Sequence, residues 1–207
     1  MGREDSSSGT DDKATTLQEG LDKVDKMITW GRRAGYTEAA TNLQNWRDAK
    51  GDRVMPASSF ESEKFLLEHL KKKHRPKFID GAKKRISSKS LTPDRAVEMD
   101  WTDSVYAPMN TDLFFALGGF TVHSHVKVEL EETSKGKILH FVLWETDISD
   151  EYNWDPGKST PIPGIGRVTD DEMKALEKAG HGKAFKITSK KAKITDKGVT
   201  GDETLKI

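Results

Sequence analysis

The sequence predicts an α+β fold, with amino-terminal helices packed on a small, mostly antiparallel β-sheet. Three observations predict it. Up to Ser90, apolar residues recur at three- and four-residue spacing, the period of a helix with one buried side. After Leu91-Thr-Pro93 the composition shifts to Val, Trp, Tyr and Phe in partly alternating order, which suits strands. Thr133-Ser-Lys-Gly136 then separates two long apolar runs in the manner of a hairpin turn.

In order along the chain, residues 1–13 are rich in Ser, Gly and Asp and read as a disordered leader or linker. The helical region spans 14–90. Its first helix carries Leu17, Leu21, Val24, Met27 and Ile28, with Gly31 and Gly35 expected to end or interrupt it. A second runs from Thr37 to about Ala49, with Ala40, Leu43 and Trp46 on one side. Ser58 with Glu61 fits a capping box for a third. That helix carries Phe60, Phe65, Leu66, Leu67 and Leu70, and Pro76 is expected to break it. Phe78–Ile86 suits one more short helix.

Residues 91–190 are expected to hold the sheet, one helix and the active region. Val97–Ala107 suggests a strand broken by Asp100 and Asp103. Asn110–Phe120 fits either a short helix or a buried strand, and Gly118-Gly119 allows a sharp bend. In the next strand Phe120, Val122, Ser124, Val126, Val128 and Leu130 share one face, while His123 and His125 lie on the other. Its partner, Ile138 to about Thr146, is apolar on both faces and is expected to be central. The stretch 147–168 reads as an irregular loop, Thr169 with Glu172 as a capping box, and Ala184–Ile187 as a short strand. The tail, 191–207, suits an edge strand or disorder.

The 207 residues suit one domain, or one domain with a helical extension, and with only 34% of them apolar and 33% charged the core must be small. Net charge is zero, but its distribution is uneven: Glu61–Ser90 carries ten Lys/Arg against four acids, and Glu98–Asp155 twelve acids against three lysines. This fits internal pairing, a solvated helix end or a basic docking patch beside an acidic site. The absence of cysteine excludes disulfides and thiol chemistry. No apolar run approaches the roughly 20 residues that span a bilayer. The first residues lack a hydrophobic signal-peptide core, so an exported protein would need another machine or a larger parent chain to carry it.

Candidate chemistry gathers between 120 and 158. At strand spacing two, His123 and His125 stand about 7 Å apart, suited to ligating a metal or to acid–base work on a phosphodiester. Two exposed histidines on a polar strand face are the alternative. His140 is expected to be a satisfied core histidine, and His69, His74 and His181 surface residues. Asp147, Asp150, Glu151 and Asp155 crowd together, and such carboxylates repel unless a cation such as magnesium offsets them. Asp147, Asp150 and Asp155 are therefore the candidate metal ligands. Asp150, Tyr152, Asp155, His123 and His125 are the candidate catalytic residues. Trp154 and Lys158 are candidates for holding a ring, an alkyl chain or a phosphate, though Lys158 also suits a simple pair with Asp155.

Several stretches carry a resemblance. Asp112-Leu-Phe-Phe-Ala-Leu-Gly-Gly-Phe120, the hairpin, Asp150-Glu-Tyr-Asn-Trp-Asp-Pro-Gly-Lys158 and Thr169-Asp-Asp-Glu-Met-Lys-Ala-Leu-Glu-Lys-Ala-Gly180 resemble the toxin tips of bacterial polymorphic-toxin and secreted-effector proteins. The resemblance implies an antibacterial effector with a cognate immunity protein, delivered into a target cell by a delivery protein or parent chain without a classical signal peptide. The hairpin followed by Asp150-x-Tyr152 is also similar to colicin M type bacteriocins, which hydrolyse the lipid-linked peptidoglycan precursor with magnesium. That likeness implies catalytic roles for Asp150 and Tyr152. The chain departs from it at Asn153, where the family has Asp, and lacks the His-Arg pair that follows. The alternatives are a nuclease toxin gripping nucleic acid with the basic helix and using His123 and His125, or a non-enzymatic binding or membrane-active domain.

Overall fold

The computed structural model describes residues 8–205, and side chains from Thr16 onward. It has the α+β architecture, with helices preceding a mostly antiparallel sheet. Met1 to Ser7 of the expected leader lie outside the described residues. The chain divides into two compact units that are discontinuous in sequence: Met1–Arg53, Met109–Leu117 and Glu151–Lys186 form one, and Val54–Pro108, Gly118–Asp150 and Ile187–Ile207 the other. The segments 14–90 and 91–190 are each shared between them.

The elements of the first unit begin with α1 (Ser8–Ala34), which starts well before Ala14. Leu21, Val24, Met27 and Ile28 are its buried stripe. Gly31 does not interrupt it. A Cβ there would stand 3.2 Å from the Ala40 Cβ, so glycine lets α2 (Thr37–Arg47) approach closely, and the helix ends at Gly35, whose φ is +83°. Tyr36 leaves the first amides of α2 without a local side-chain cap, and Asp112 supplies one from afar: its carboxylate accepts from Glu38 and Ala39 N–H, both at 2.8 Å. A negative group at a helix amino terminus also meets the positive end of the helix dipole.

The second unit begins in β1 (Arg53–Met55). The expected capping box at Ser58 is not formed. Ala57–Ser59 is a 3-10 turn, and α3 starts later, at Lys64–His69, without a side-chain cap. The turn ends at Phe60, whose ring is fully buried, so tertiary burial overrides the local cap. Pro76 does not break the helix either. α3 continues through a π-helical turn, Leu70–His74, directly into α4 (Arg75–Ser87).

β2 (Val97–Tyr106) is one unbroken strand; Asp100 and Asp103 are accommodated within it. In the first unit, 112–116 resolves the open choice as a short helix, α5 (Asp112–Ala116); Gly118, which begins the next stretch of the second unit, turns with φ +68°. β3 (Gly119–Thr133) buries Phe120, Val122, Ser124, Val126, Val128 and Leu130, as alternation requires. β4 (Gly136–Tyr152) is longer than expected and runs through the supposed acidic loop as far as Tyr152. A bulge sits where Lys127 pairs Leu143 and Val128 pairs Phe141, which leaves Val142 unpaired and exposed. The extra residue shifts the alternation, so that Leu139, Phe141, Trp144, Thr146 and Ile148 are all buried.

The stretch after β4 is not irregular. β5 (Ser159–Ile162) and β6 (Gly166–Thr169) form a small hairpin, and Thr169 with Glu172 makes the expected capping box on α6 (Asp170–Lys178). β7 (Phe185–Ser189), β8 (Ala192–Lys193), α7 (Lys197–Thr200) and β9 (Glu203–Leu205) complete the chain. The tail is thus ordered through Leu205, with β8 and β9 both pairing β4. The sheet order β1-β7-β4-β3-β2 makes β4 central.

One glycine gives a direct test of the first unit's core. Gly182 has φ +153°, and an added Cβ would lie 2.5 Å from the fully buried Trp46 ring. Gly157, at φ +83°, has nothing within 4 Å of such a Cβ. We expect Gly182→Ala to lower unfolding stability by about 2–4 kcal/mol and Gly157→Ala by only about 1 kcal/mol. Urea unfolding of both variants checks this, and equal losses would show that the Trp46 contact is not tight.

Candidate metal centre

The site builds from a helix that meets a proline. Pro76 has no N–H to offer the carbonyl of Lys72, and its ring crowds that carbonyl. The helix widens one turn earlier, where Arg75 N–H donates to the carbonyl of Leu70, five residues back. In an ordinary α-helix, residues five apart point about 140° away from one another. The wider turn brings them to one side. His69 and His74, five apart across it, have ring centroids 5.3 Å apart.

Both rings face β2. Asp103 presents Oδ2 at 3.6 Å from His69 Nε2, while its Oδ1 accepts from the Ser104 N–H at 2.7 Å. The ligand atoms of His69, His74 and Asp103 all lie within 4.8 Å of one another, and among the described residues this is the group that could hold a metal ion. Tetrahedral ligands about 2.1 Å from an ion stand about 3.4 Å apart, so closing the group needs a shift of about an ångström. The Nε2 atoms of both histidines are buried and without a hydrogen-bond partner. Buried polar atoms without a hydrogen-bond partner are uncommon, and two of them beside a carboxylate suit a cation.

Electrostatics keeps the imidazoles neutral. Burial pushes His74 down to about 4, helped by the neighbouring His69 and opposed by Asp103. Burial also lowers His69, against the pull of Asp103. A neutral imidazole keeps the lone pair that a metal needs. His74 is completely buried, yet the Asp103 side chain is 41% exposed, so one side of the group is open to solvent. An open position is what a catalytic metal site keeps and a structural one fills.

The sequence-predicted residues lie elsewhere. Thr102 and Ser149 hold His123, their hydroxyls 3.1 Å from its Nδ1 and 3.0 Å from its Nε2. His125 pairs across to β2, with Asp100 at 2.9 Å and Glu98 at 3.7 Å. The two histidines do share a face, and both have cross-strand partners there. Asp147, opposite His123, and Asp150 both belong to β4 rather than to a loop.

Tyr152 is buried, stacked on Phe185 at 5.1 Å and edge-on to Trp154 at 5.5 Å. Burial raises its phenol far above the usual range, so it holds its proton and acts as a core ring. Trp154 also packs edge-on against Trp46 at 5.6 Å. Asp155 and Lys158 pair with each other, and Asp170 and Asp171 accept from the amides of Asp155 and Gly157. That arrangement is a capped turn. His140 is half-buried between Glu131 and Asp202, each at 3.0 Å, and these partners raise its pKa.

Sequence reasoning missed His69, His74 and Asp103. It treated the histidines as surface residues and Asp103 as a strand break, because five-residue spacing puts two side chains on different sides of an ordinary helix. The one hint in the sequence is Pro76, two residues after His74, where a helix that continues must kink or widen.

In the metal-free protein, burial favours the neutral form of His74. An unfolded histidine takes up its proton near 6.5, whereas the folded one resists until about 4. The stability this contributes is complete above about 6.5 and falls as pH drops toward about 4, by roughly 1.4 kcal/mol per pH unit. Urea unfolding at pH 7.5, 6 and 5 should show a steeper loss for the wild type than for His74→Gln; parallel losses would mean that His74 is not buried neutral. Compared with known proteins, the chain matches no family model, no curated protein and no solved structure.

Proposed function

We propose that the chain is a metal-assisted phosphoester hydrolase whose ion is held by His69, His74 and Asp103, and that it serves as an antibacterial effector domain of the secreted-toxin kind. The observation that carries this reading is the grouping of ligand atoms of His69, His74 and Asp103 within 4.8 Å, with both histidine Nε2 atoms buried and without a hydrogen-bond partner. Two imidazoles and a carboxylate favour zinc or a neighbouring first-row ion over the magnesium that the acidic stretch suggested, because magnesium prefers oxygen ligands.

The same helical stretch supports a phosphate-containing substrate. Lys71, Lys72 and Lys73 lie between the two histidines and are exposed. Among the described residues Lys72 pairs with Glu68, while Lys71, Lys73, Lys83 and Lys84 make no ion pair. A bound ion would lower the pKa of a water at the open position and stabilise charge on a phosphoryl oxygen. Water then adds to phosphorus, one P–O ester bond breaks, and the leaving oxygen takes up a proton. The lysines supply charge that draws and holds the phosphate backbone.

A nucleic acid is therefore the favoured substrate. The reading against a lipid-linked envelope precursor drew on Tyr152 as a reacting group, and its burial removes that support. In either case the effector role brings a cognate immunity protein, a delivery protein or parent chain, and release into a target cell. Among the described residues no helix is long and apolar enough to cross a membrane.

The test uses purified full-length chain with zinc, cobalt, manganese or magnesium, assayed on RNA and DNA, alongside expression in bacterial cytoplasm and periplasm. We expect first-row-ion-dependent cleavage, lost with EDTA, and killing from the cytoplasm. Asp103→Asn and His74→Ala should each reduce cleavage at least 100-fold, while Asp155→Ala leaves it within twofold. Full activity in Asp103→Asn would remove the metal centre from the mechanism. Killing from the periplasm alone would return the substrate to the envelope.

A further inference from the structure

Behind His74 lies a buried polar cluster that the proposed chemistry does not use directly. His74 Nδ1 is 2.9 Å from Ser124 Oγ, and Ser124 Oγ is 3.1 Å from Thr146 Oγ1. The Trp144 indole N–H reaches both hydroxyls, at 3.3 Å and 3.2 Å. All four residues are almost wholly buried: Trp144 is 1% exposed, Ser124 2%, His74 and Thr146 0%. They come from the π-helical turn, β3 and β4.

We infer that Ser124 is a positioning residue that holds His74 as the Nδ1–H tautomer and so turns a bare Nε2 lone pair toward the metal centre; the metal-affinity part of this inference rests on the function proposed above. The bonding of the two ring nitrogens carries the argument: Nδ1 meets Ser124 and Nε2 has no hydrogen-bond partner. The indole N–H can only donate, so Ser124 accepts from it. If His74 donates Nδ1–H, Ser124 accepts a second time and donates its own O–H to Thr146. His74 is then left with Nε2, its ring nitrogen without a hydrogen-bond partner, as a free acceptor for an ion. In the opposite tautomer Ser124 must donate to Nδ1, and His74 Nε2 becomes a buried N–H without a partner. An Nε2 that carries a proton has no lone pair to give an ion. A metal-ligating histidine characteristically donates its second ring N–H to a fixed acceptor, which sets the ring's orientation and basicity. Here that acceptor is a serine on the neighbouring strand.

The experiment uses full-length chain labelled with 15N-histidine, metal-free at neutral pH, wild type and Ser124→Ala, followed by cobalt titration read by visible absorption. We expect wild-type His74 to give the signature of protonated Nδ1 and bare Nε2. Ser124→Ala should lose that signature and bind cobalt about 10–100-fold more weakly. Protonated Nε2 in the wild type overturns the inference, and so does a Ser124→Ala protein with unchanged tautomer and affinity. If Ser124→Ala does not fold, the wild-type spectrum decides alone. A wild type with the expected tautomer that binds no cobalt upholds the tautomer lock and removes the metal-centre reading instead.

Discussion

A helix that reaches a proline must end, kink or widen, because the proline can neither donate to the preceding turn nor clear its carbonyl. Here the helix widens, and the candidate site depends on that choice. The turn Leu70–His74 lets α3 and α4 read as one helix while changing which residues face the sheet. Because the helix continues, Phe78 reaches the Trp144 ring, 5.2 Å away and edge-on, and His74 is held between the helix and the hydroxyls of Ser124 and Thr146.

The sheet answers that helix with a matching irregularity. Without the bulge at Val142, strict alternation would send Trp144 to the opposite face from Leu139 and Phe141. The extra residue turns Trp144 inward, where its N–H serves Ser124 and Thr146 and its ring packs on Phe78 and Phe141. Two departures from regular structure, one in a helix and one in a strand, thus meet at the same buried cluster. Such features are commonly found beside functional sites, where they re-aim side chains. The polar face of the sheet is different in kind: His123 and His125 there are paired off against hydroxyls and carboxylates of neighbouring strands.

The acidic stretch shows how crowding in sequence misleads. Asp147, Asp150 and Asp155 look like one cluster when the stretch is taken for a loop. Once β4 extends to Tyr152, the first two belong to a strand and the third to a capped turn. Tyr152 follows the same logic. It stands beside acids in the sequence and beside Phe185 and Trp154 in space, and its surroundings decide its chemistry.

What the sequence by itself determined was local: the helical stripe of α1, the inward face of β3, the hairpin turn at Thr133–Gly136 and the capping box at Thr169. Each follows from period or from a short-range hydrogen bond, so neighbours along the chain suffice to specify it. The mostly antiparallel α+β class followed from those pieces. Tertiary structure alone decided the site. His69, His74 and Asp103 converge because a proline widens a helix and because Phe78, Trp144 and Ser124 hold that helix against the sheet. Those contacts join residues far apart in the chain, and no pattern of spacing encodes them.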